Sequence, residues 1–233
     1  SRHVGIACGT LFSGFTTGIL LGSLVAMAVN HYFGDAVLDY AWRLPFLLGG
    51  VFGIFALFLR RWLEETPVFL AMKQKKLLAQ EVPLKTVLRE HRAQIWPSML
   101  LTGFLSVGIV TLTLLTPSIL QTQFSYPASD ALEANSIAII CLTFGCIFWG
   151  WLADRIGAYR VLLLGSLALA ASSYVFYHAL PAEVGHTTLL YSIAGFCLGS
   201  VAVVPMILVG LFPPAVRYSG FSFSYNVAYS IFG

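Results

Sequence analysis

The sequence predicts an all-α membrane protein of about seven membrane-crossing helices, and three observations carry that prediction. Of its 233 residues, 58% are hydrophobic and only 10% are charged, whereas soluble domains carry roughly 25% charged residues. Several apolar runs exceed the ~20 residues that a helix needs to cross a hydrocarbon core. The charges gather in the segments between those runs. No ordinary solvated surface can be built from such a chain.

The same composition narrows the functional classes. No basic patch interleaves with aromatic residues outside one loop, so nucleic acid is not an expected partner; the lipid bilayer is. Cys8, Cys141, Cys146 and Cys197 all fall inside apolar runs and read as small buried hydrophobes. Their spacing matches no metal site, and no cofactor is expected. The chain opens on Ser1, Arg2 and His3 without a signal-peptide pattern, and it reads as a piece of something longer.

The first span covers residues 4 to about 30 and holds no Asp, Glu, Lys or Arg. Gly5, Gly9, Gly14, Gly18 and Gly22 recur mostly four apart, a spacing that lets another helix approach closely. Ser13, Thr16 and Thr17 are interleaved with them and could bond across that contact or line a cavity. A short acidic link with Asp35 and Asp39 leads to Trp42, Arg43 and Pro45; proline suits a first helical turn, where its missing donor costs nothing. The second span runs to residue 59 and ends at Arg60, Arg61 and Trp62, placing a tryptophan at each interface. Asp39 and Arg43 are four apart and could pair on a helix.

Residues 60–94 differ in kind, holding eight of the thirteen Lys and Arg residues. Glu64, Glu65 and Pro67 read as acids followed by a break. Leu84, Val87 and Leu88 recur at helical spacing amid Lys85, Arg89 and Arg92, the pattern of an amphipathic helix lying on a membrane surface. This segment is the one boundary between two halves.

The third span, residues 95–120, has Pro97 near its start and Pro117 near its end, with a polar row of Thr102, Ser106, Thr111, Thr113 and Thr116. After a link with Asp130 and Glu133 comes the fourth span, 134–153. A charged hinge, Gly150 to Arg160, joins it to the fifth, 161–180. Beyond Glu183 the sixth span runs over 188–211, where Phe212, Pro213 and Pro214 stop it. Arg217 and Tyr218 mark the surface, and a seventh run begins at Ser219; its 15 residues to Gly233 are too few to cross. Alternating the loops puts twelve Lys and Arg residues on one side and only Arg43 on the other. Basic loops face the cytoplasm, so the amino end, the long loop, the hinge and Arg217 are expected there.

Chemistry is sparse. No span carries an Asp, Glu, Lys or Arg at depth, so no proton-relay group of the usual kind can be named. The sequence lacks HExxH, GxSxG, a buried aspartate pair and a phosphate-cradling glycine loop, and it is not expected to be an enzyme. His31, His178 and His186 lie at or beyond the outer interface and read as anchors or solvated residues.

Asp154 is the exception. It ends the fourth span, where the helix dipole is already negative, and so needs a compensating partner. Arg155 and Arg160 are near in sequence. The start of the seventh run at Ser219, beside Arg217, offers free amide groups and a positive dipole end. The expectation is a cytoplasmic latch in which Asp154 holds the start of the last run and lets go when the helices separate; a plain tight turn with snorkelling arginines is the alternative.

The pattern Gly150, Leu152, Ala153, Asp154, Arg155 and Gly157 resembles the cytoplasmic-loop signature of the major facilitator superfamily, secondary transporters of twelve helices. The family commonly continues with two basic residues, whereas Ala158 and Tyr159 here precede Arg160. Trp42 to Phe46, with Arg60 and Leu63 through Phe69, resembles the end of the sixth helix in the metabolite–proton symporter group. Phe212, Pro213 and Val216 to Ser219 resemble that group's link between the tenth and eleventh helices; the group includes proline/betaine transporters. The resemblance implies helices five to eleven, truncated at both ends, with the remaining helices of the same transporter as partners. Residues 1–59 become the last two helices of the amino-terminal half, 60–94 the connector, and 95–233 an incomplete carboxyl-terminal half.

It further implies a mid-membrane cavity between the halves. Thr16, Thr17, Thr111, Thr113, Tyr225 and Asn226 are the candidates for facing a small polar solute there, with helix packing as the alternative for each. Relatives often carry tyrosines on the seventh helix where this chain has threonines. Proton coupling and a cytoplasmic (inner) membrane location follow from the resemblance alone. An uncoupled facilitator or exporter is the nearest competing reading. A seven-helix receptor is disfavoured by the inside amino end and the lack of any lysine in a span.

Overall fold

The computed structural model describes residues 3–34, 37–62, 83–180 and 184–233, and these are helical almost throughout. Six segments are long and apolar enough to cross a membrane: Val4–Phe33, Asp39–Arg60, Arg92–Gln123, Ala128–Ile156, Ala158–His178 and His186–Leu211. In hydrocarbon every backbone group must be bonded internally, which is why such sequences fold as unbroken helices. The first six expected spans are present, most of them extended into their links, while the fifth is shifted to start at Ala158 and end at His178; the seventh run forms the shorter helix Arg217–Phe232.

Helices α1 (Val4–Phe33) and α2 (Arg43–Arg60) are joined through a wide turn at Val37–Ala41, closed by Trp42 N–H on Val37 O at 3.2 Å. No residue of α2 is buried. Arg43 lies over the Trp42 ring. Asp35, Glu64, Glu65, Pro67 and Glu183 fall outside the described residues.

Helix α3 (Pro83–Glu90) confirms the helical spacing around Val87 but changes its role. Val87 is fully buried against Ile95, Phe212 and Val216, so this helix docks on protein rather than resting its whole apolar face on lipid.

The third span begins at Arg92, earlier than expected, which leaves Pro97 inside α4 (Arg92–Ile109). It passes through a π turn at Val110–Leu115 into α5 (Thr116–Gln123). Pro117 explains the turn: it has no N–H to donate, and its ring crowds the carbonyl four residues back. The ladder shifts one residue, and Thr116 N–H bonds Thr111 O. In the same register Leu112 O would need the N–H of residue 117, which proline lacks.

Helix α6 (Ala128–Ile156) is central. It runs antiparallel to α1 on one side and packs α8 (Val184–Leu198) on the other. A carbon added at Gly145 would come 2.4 Å from Phe196 O, so the α6 and α8 backbones nearly touch. Gly157 follows α6 with φ of 94°, a conformation that side chains disfavour, and it turns the chain directly into α7 (Ala158–His178). After α8, a short 3-10 stretch at Gly199–Val203 precedes α9 (Val204–Leu211), with Pro205 in its first turn. Helix α10 (Arg217–Phe232) then lies along α4. The main core gathers around α6 and α8, including Leu142, Cys146, Tyr191 and Leu198.

Candidate functional site

Asp154 has found a helix start, but not the one expected. Its Oδ1 accepts the Gly5 N–H at 2.6 Å and its Oδ2 accepts the Ile6 N–H at 2.9 Å. Those are orphan donors in the first turn of α1. The carboxylate of a C-terminal turn thus sits at the positive end of another helix, which relieves the unfavourable dipole at its own. The expected pairing with the start of the last run is corrected accordingly. Arg217 instead turns back on its own loop, its Nε donating to Phe212 O at 3.2 Å. Arg155 lies 4.1 Å over the Trp151 ring, a cation–π contact rather than a partner for the carboxylate. Arg160 is exposed.

Glycines make this approach possible. A carbon added at Gly5 would meet Gly150 O at 2.3 Å and Asp154 Oδ1 at 2.9 Å, and one at Gly9 would meet Cys146 O at 2.4 Å. The expected glycine row divides here. Gly14, Gly18 and Gly22 have nothing within 4 Å of such a carbon among the described residues. Farther along, the α1–α6 contact is held by hydroxyl pairs, Thr16 with Thr143 at 2.8 Å and Ser23 with Ser136 at 3.0 Å.

The six solute-lining candidates do not converge. Thr16 is buried in the α1–α6 contact, and Thr17 donates to Ser13 O. Thr113 is buried and donates to Ile109 O. Tyr225 stacks between Phe221 and Tyr229, while exposed Asn226 bonds Ser222 O. Thr111 lines a cavity of about 470 Å³ between α4, α7 and the end of α10, with Ser166, Ser173 and Tyr177 among otherwise mostly apolar walls. A second cavity, of about 750 Å³, lies between the end of α1 and the start of α6 and takes in Asn30, His31, Ser129 and Glu133.

One buried constellation was missed. The Tyr191 hydroxyl donates toward Leu112 O and Asn135 Oδ1, the latter at 2.6 Å, while its ring stacks on Phe176. Leu112 O is the carbonyl that Pro117 leaves without a partner, so Tyr191 completes the π turn. Nearby, Thr116 and Tyr177 hydroxyls bond each other at 2.8 Å. An asparagine and a proline in neighbouring apolar spans were the available signals, but only packing shows that one tyrosine answers both. Tyr191→Phe removes the single proton that these two acceptors share and should leave a buried acceptor unpaired, costing about 1–3 kcal/mol. The check is thermal unfolding of the purified protein, and an unchanged melting temperature would contradict it.

Helices crossing through glycine contacts, a carboxylate on a helix start and basic links between apolar spans define a multi-pass helical membrane protein. The chain belongs to the major facilitator superfamily, whose family model matches residues 1–233. It is 29% identical over 231 residues to a Staphylococcus aureus (strain COL) relative named for proline/betaine transport, covering 96% of this chain and 50% of that protein. The proline/betaine transporter of Escherichia coli (strain K12) is 29% identical over 253 residues, covering 100% of this chain and 49% of its own. The ectoine/proline transporter ProP of Corynebacterium glutamicum is 25% identical over 236 residues, covering 95% and 46%. The chain therefore spans about half the length of the curated relatives it matches. No solved structure matches it significantly.

Proposed function

We propose that this chain is part of a secondary transporter that moves a small polar organic solute, together with protons, across the cytoplasmic (inner) membrane by alternating access. In this reading residues 1–59 belong to one half, 60–94 connect the halves, and 95–233 belong to the other. The observation that carries it is the bond from Asp154 to the Gly5 and Ile6 amides. It joins the first of these segments to the last through two hydrogen bonds, which can break and re-form as a unit. Gly150 lets that contact form and Gly157 turns the chain beyond it into α7, while Arg155 and Arg160 keep the same face basic, as does Arg217. Family membership and the names of the relatives support a solute of the proline, betaine or ectoine kind.

The test is uptake of radiolabelled proline and glycine betaine by the complete encoded protein in proteoliposomes. An imposed proton gradient should drive accumulation, and collapsing the gradient should abolish it. Uptake indifferent to the gradient would make the protein an uncoupled facilitator. Uptake of neither solute, with the protein correctly inserted, would remove the solute class.

A further inference from the structure

The α1–α6 pair is closed at one end and open at the other. Beside Asp154 the two backbones touch through Gly5, Gly9 and Gly150. At the far end, beyond the Ser23–Ser136 hydroxyl bond, they leave the cavity of about 750 Å³. Small-molecule sites occupy roughly 300–1,000 Å³, so there is room for a solute. The end of α1 gives its wall Asn30, His31 and Tyr32, and the start of α6 gives Ser129, Leu132 and Glu133.

The polar groups of this wall have used their protons elsewhere. The Asn30 amide donates to Ala26 O at 2.9 Å, which fixes its orientation and leaves Oδ1 to accept. The Ser129 hydroxyl donates to Asp130 Oδ1 at 2.9 Å, leaving its lone pairs. Glu133 is exposed, and an ionised carboxylate only accepts. Two rings complete the set: His31 and Tyr32 meet edge to face with centroids 5.3 Å apart, and Tyr32 is 81% exposed. Acceptor oxygens, a full negative charge and an aromatic face suit an ammonium group, through charge-assisted hydrogen bonds or, when it is fully methylated, through cation–π contact. An anion would meet acceptors and a like charge.

The surrounding charge has the same sign. The described acids on this face are Asp39, Asp130 and Glu133, while its one described Lys or Arg, Arg43, rests 5.1 Å over the Trp42 ring. Such a field concentrates cations at the mouth of a cleft.

We infer that the cavity between the end of α1 and the start of α6 is a docking site for the ammonium group of an organic cation or zwitterion, with Glu133 as its counter-charge. The Tyr32 ring covers the group, and Asn30 Oδ1 and Ser129 Oγ accept any N–H it carries. Because no span carries an acid at depth, this carboxylate is the one a positive solute meets at this end of the pair. The site deepens the transporter reading and rests on it for the solute's onward path.

The experiment places a single cysteine at Leu132, next to Glu133 in the cavity wall, in the complete encoded protein with its native cysteines replaced. Leu132→Cys is reacted with a methanethiosulfonate carrying trimethylammonium and with one carrying sulfonate. Gln123→Cys, exposed at the end of α5 and outside the cavity, is the reference. The cation-to-anion rate ratio should be about tenfold higher at Leu132→Cys than at the reference. Choline and glycine betaine should slow the labelling, whereas tert-butylacetate, which has the shape of betaine without its positive charge, should not. Adding Glu133→Gln should weaken the protection by choline about fivefold. Ala28→Cys, on the facing wall, gives the same reading from α1 if Leu132→Cys fails to insert. Equal rate ratios at cavity and reference, or equal protection by all three solutes, overturn the inference. Protection by choline without uptake of proline or betaine upholds this site and removes the transported class; uptake without protection does the reverse.

Discussion

Gly150→Val should push α1 away from α6 and lower the melting temperature of the purified protein by roughly 6–12 °C, from a loss of about 3 kcal/mol. The first carbon of the new side chain would sit 2.5 Å from Gly5 O, 3.1 Å from Gly9 Cα and 3.2 Å from Gly5 C. All three are backbone atoms, so no flexible side chain can yield. Overpacking of this kind costs about 1–3 kcal/mol by itself. Separation also stretches the Asp154 bonds at the adjacent turn, adding about 1.5–3 kcal/mol for a charged acceptor. Between apolar helices in lipid, close packing and polar contacts supply the attraction that hydrophobic burial supplies in water, and at this end of the pair the glycine contact and Asp154 supply both, the hydroxyl pairs Thr16–Thr143 and Ser23–Ser136 lying farther along. Gly18→Ala on the same α1 is the control. With nothing within 4 Å it should be neutral, or stabilising by up to about 1 kcal/mol through helix propensity. Similar losses for both variants would mean that the glycine contact is not what joins these helices.

Those two glycines also mark the limit of what sequence could reveal. The spans were legible because a hydrocarbon core demands long apolar helices, and Asp154 was legible because a carboxylate at a helix C-terminus is out of place. Its partner was not. Two helix starts, at Gly5 and at Ser219, could each offer amides, and basic Arg217 made the second more attractive. What decides between them is backbone clearance. Gly5, Gly9 and Gly150 allow α1 to approach within reach of a short side chain, whereas Arg217 is engaged with Phe212 O. The five-glycine row looked uniform because spacing records which residues share a face, not where along that face a neighbour lies. The π turn shows the same limit. Pro117 was visible near the end of the third span, but that the freed Leu112 carbonyl is met by Tyr191, 79 residues later, follows only from packing.

The candidate solute residues were the least legible part, for a physical reason. A hydroxyl in an apolar span can face a cavity, a neighbouring helix or its own backbone, and sequence spacing treats the three alike. Thr16 meets Thr143, Thr17 and Thr113 turn back on their own helix, and Thr111 faces a cavity. One residue type has three fates. Ser98, Thr102 and Ser106, buried along α4 without a hydrogen-bond partner among the described residues, are a fourth case.

Asp154→Ala should raise the population in which α1 and α6 are parted at the hinge, by roughly 30- to 150-fold. The carboxylate accepts two backbone donors, at 2.6 and 2.9 Å, and lies at a helix N-terminus, where a negative charge adds about 0.3–1 kcal/mol. Half-buried as it is, the group recovers some of that from water when released, so a net loss of about 2–3 kcal/mol is expected. At 1.4 kcal/mol per factor of ten that is the range given. Asp154→Asn keeps an acceptor oxygen but loses the charge, and should shift the balance by about fivefold, near 1 kcal/mol. Spin labels at Thr10 and Tyr159, both exposed and on the two sides of the contact, would report the separated fraction as a second, longer distance. The expected order is alanine above asparagine above the native chain. Arg155→Gln should change it little, because that side chain rests on Trp151 and not on the carboxylate. If Arg155→Gln opened the contact as much as Asp154→Ala, the basic residue and not the helix start would be the true counterpart of Asp154.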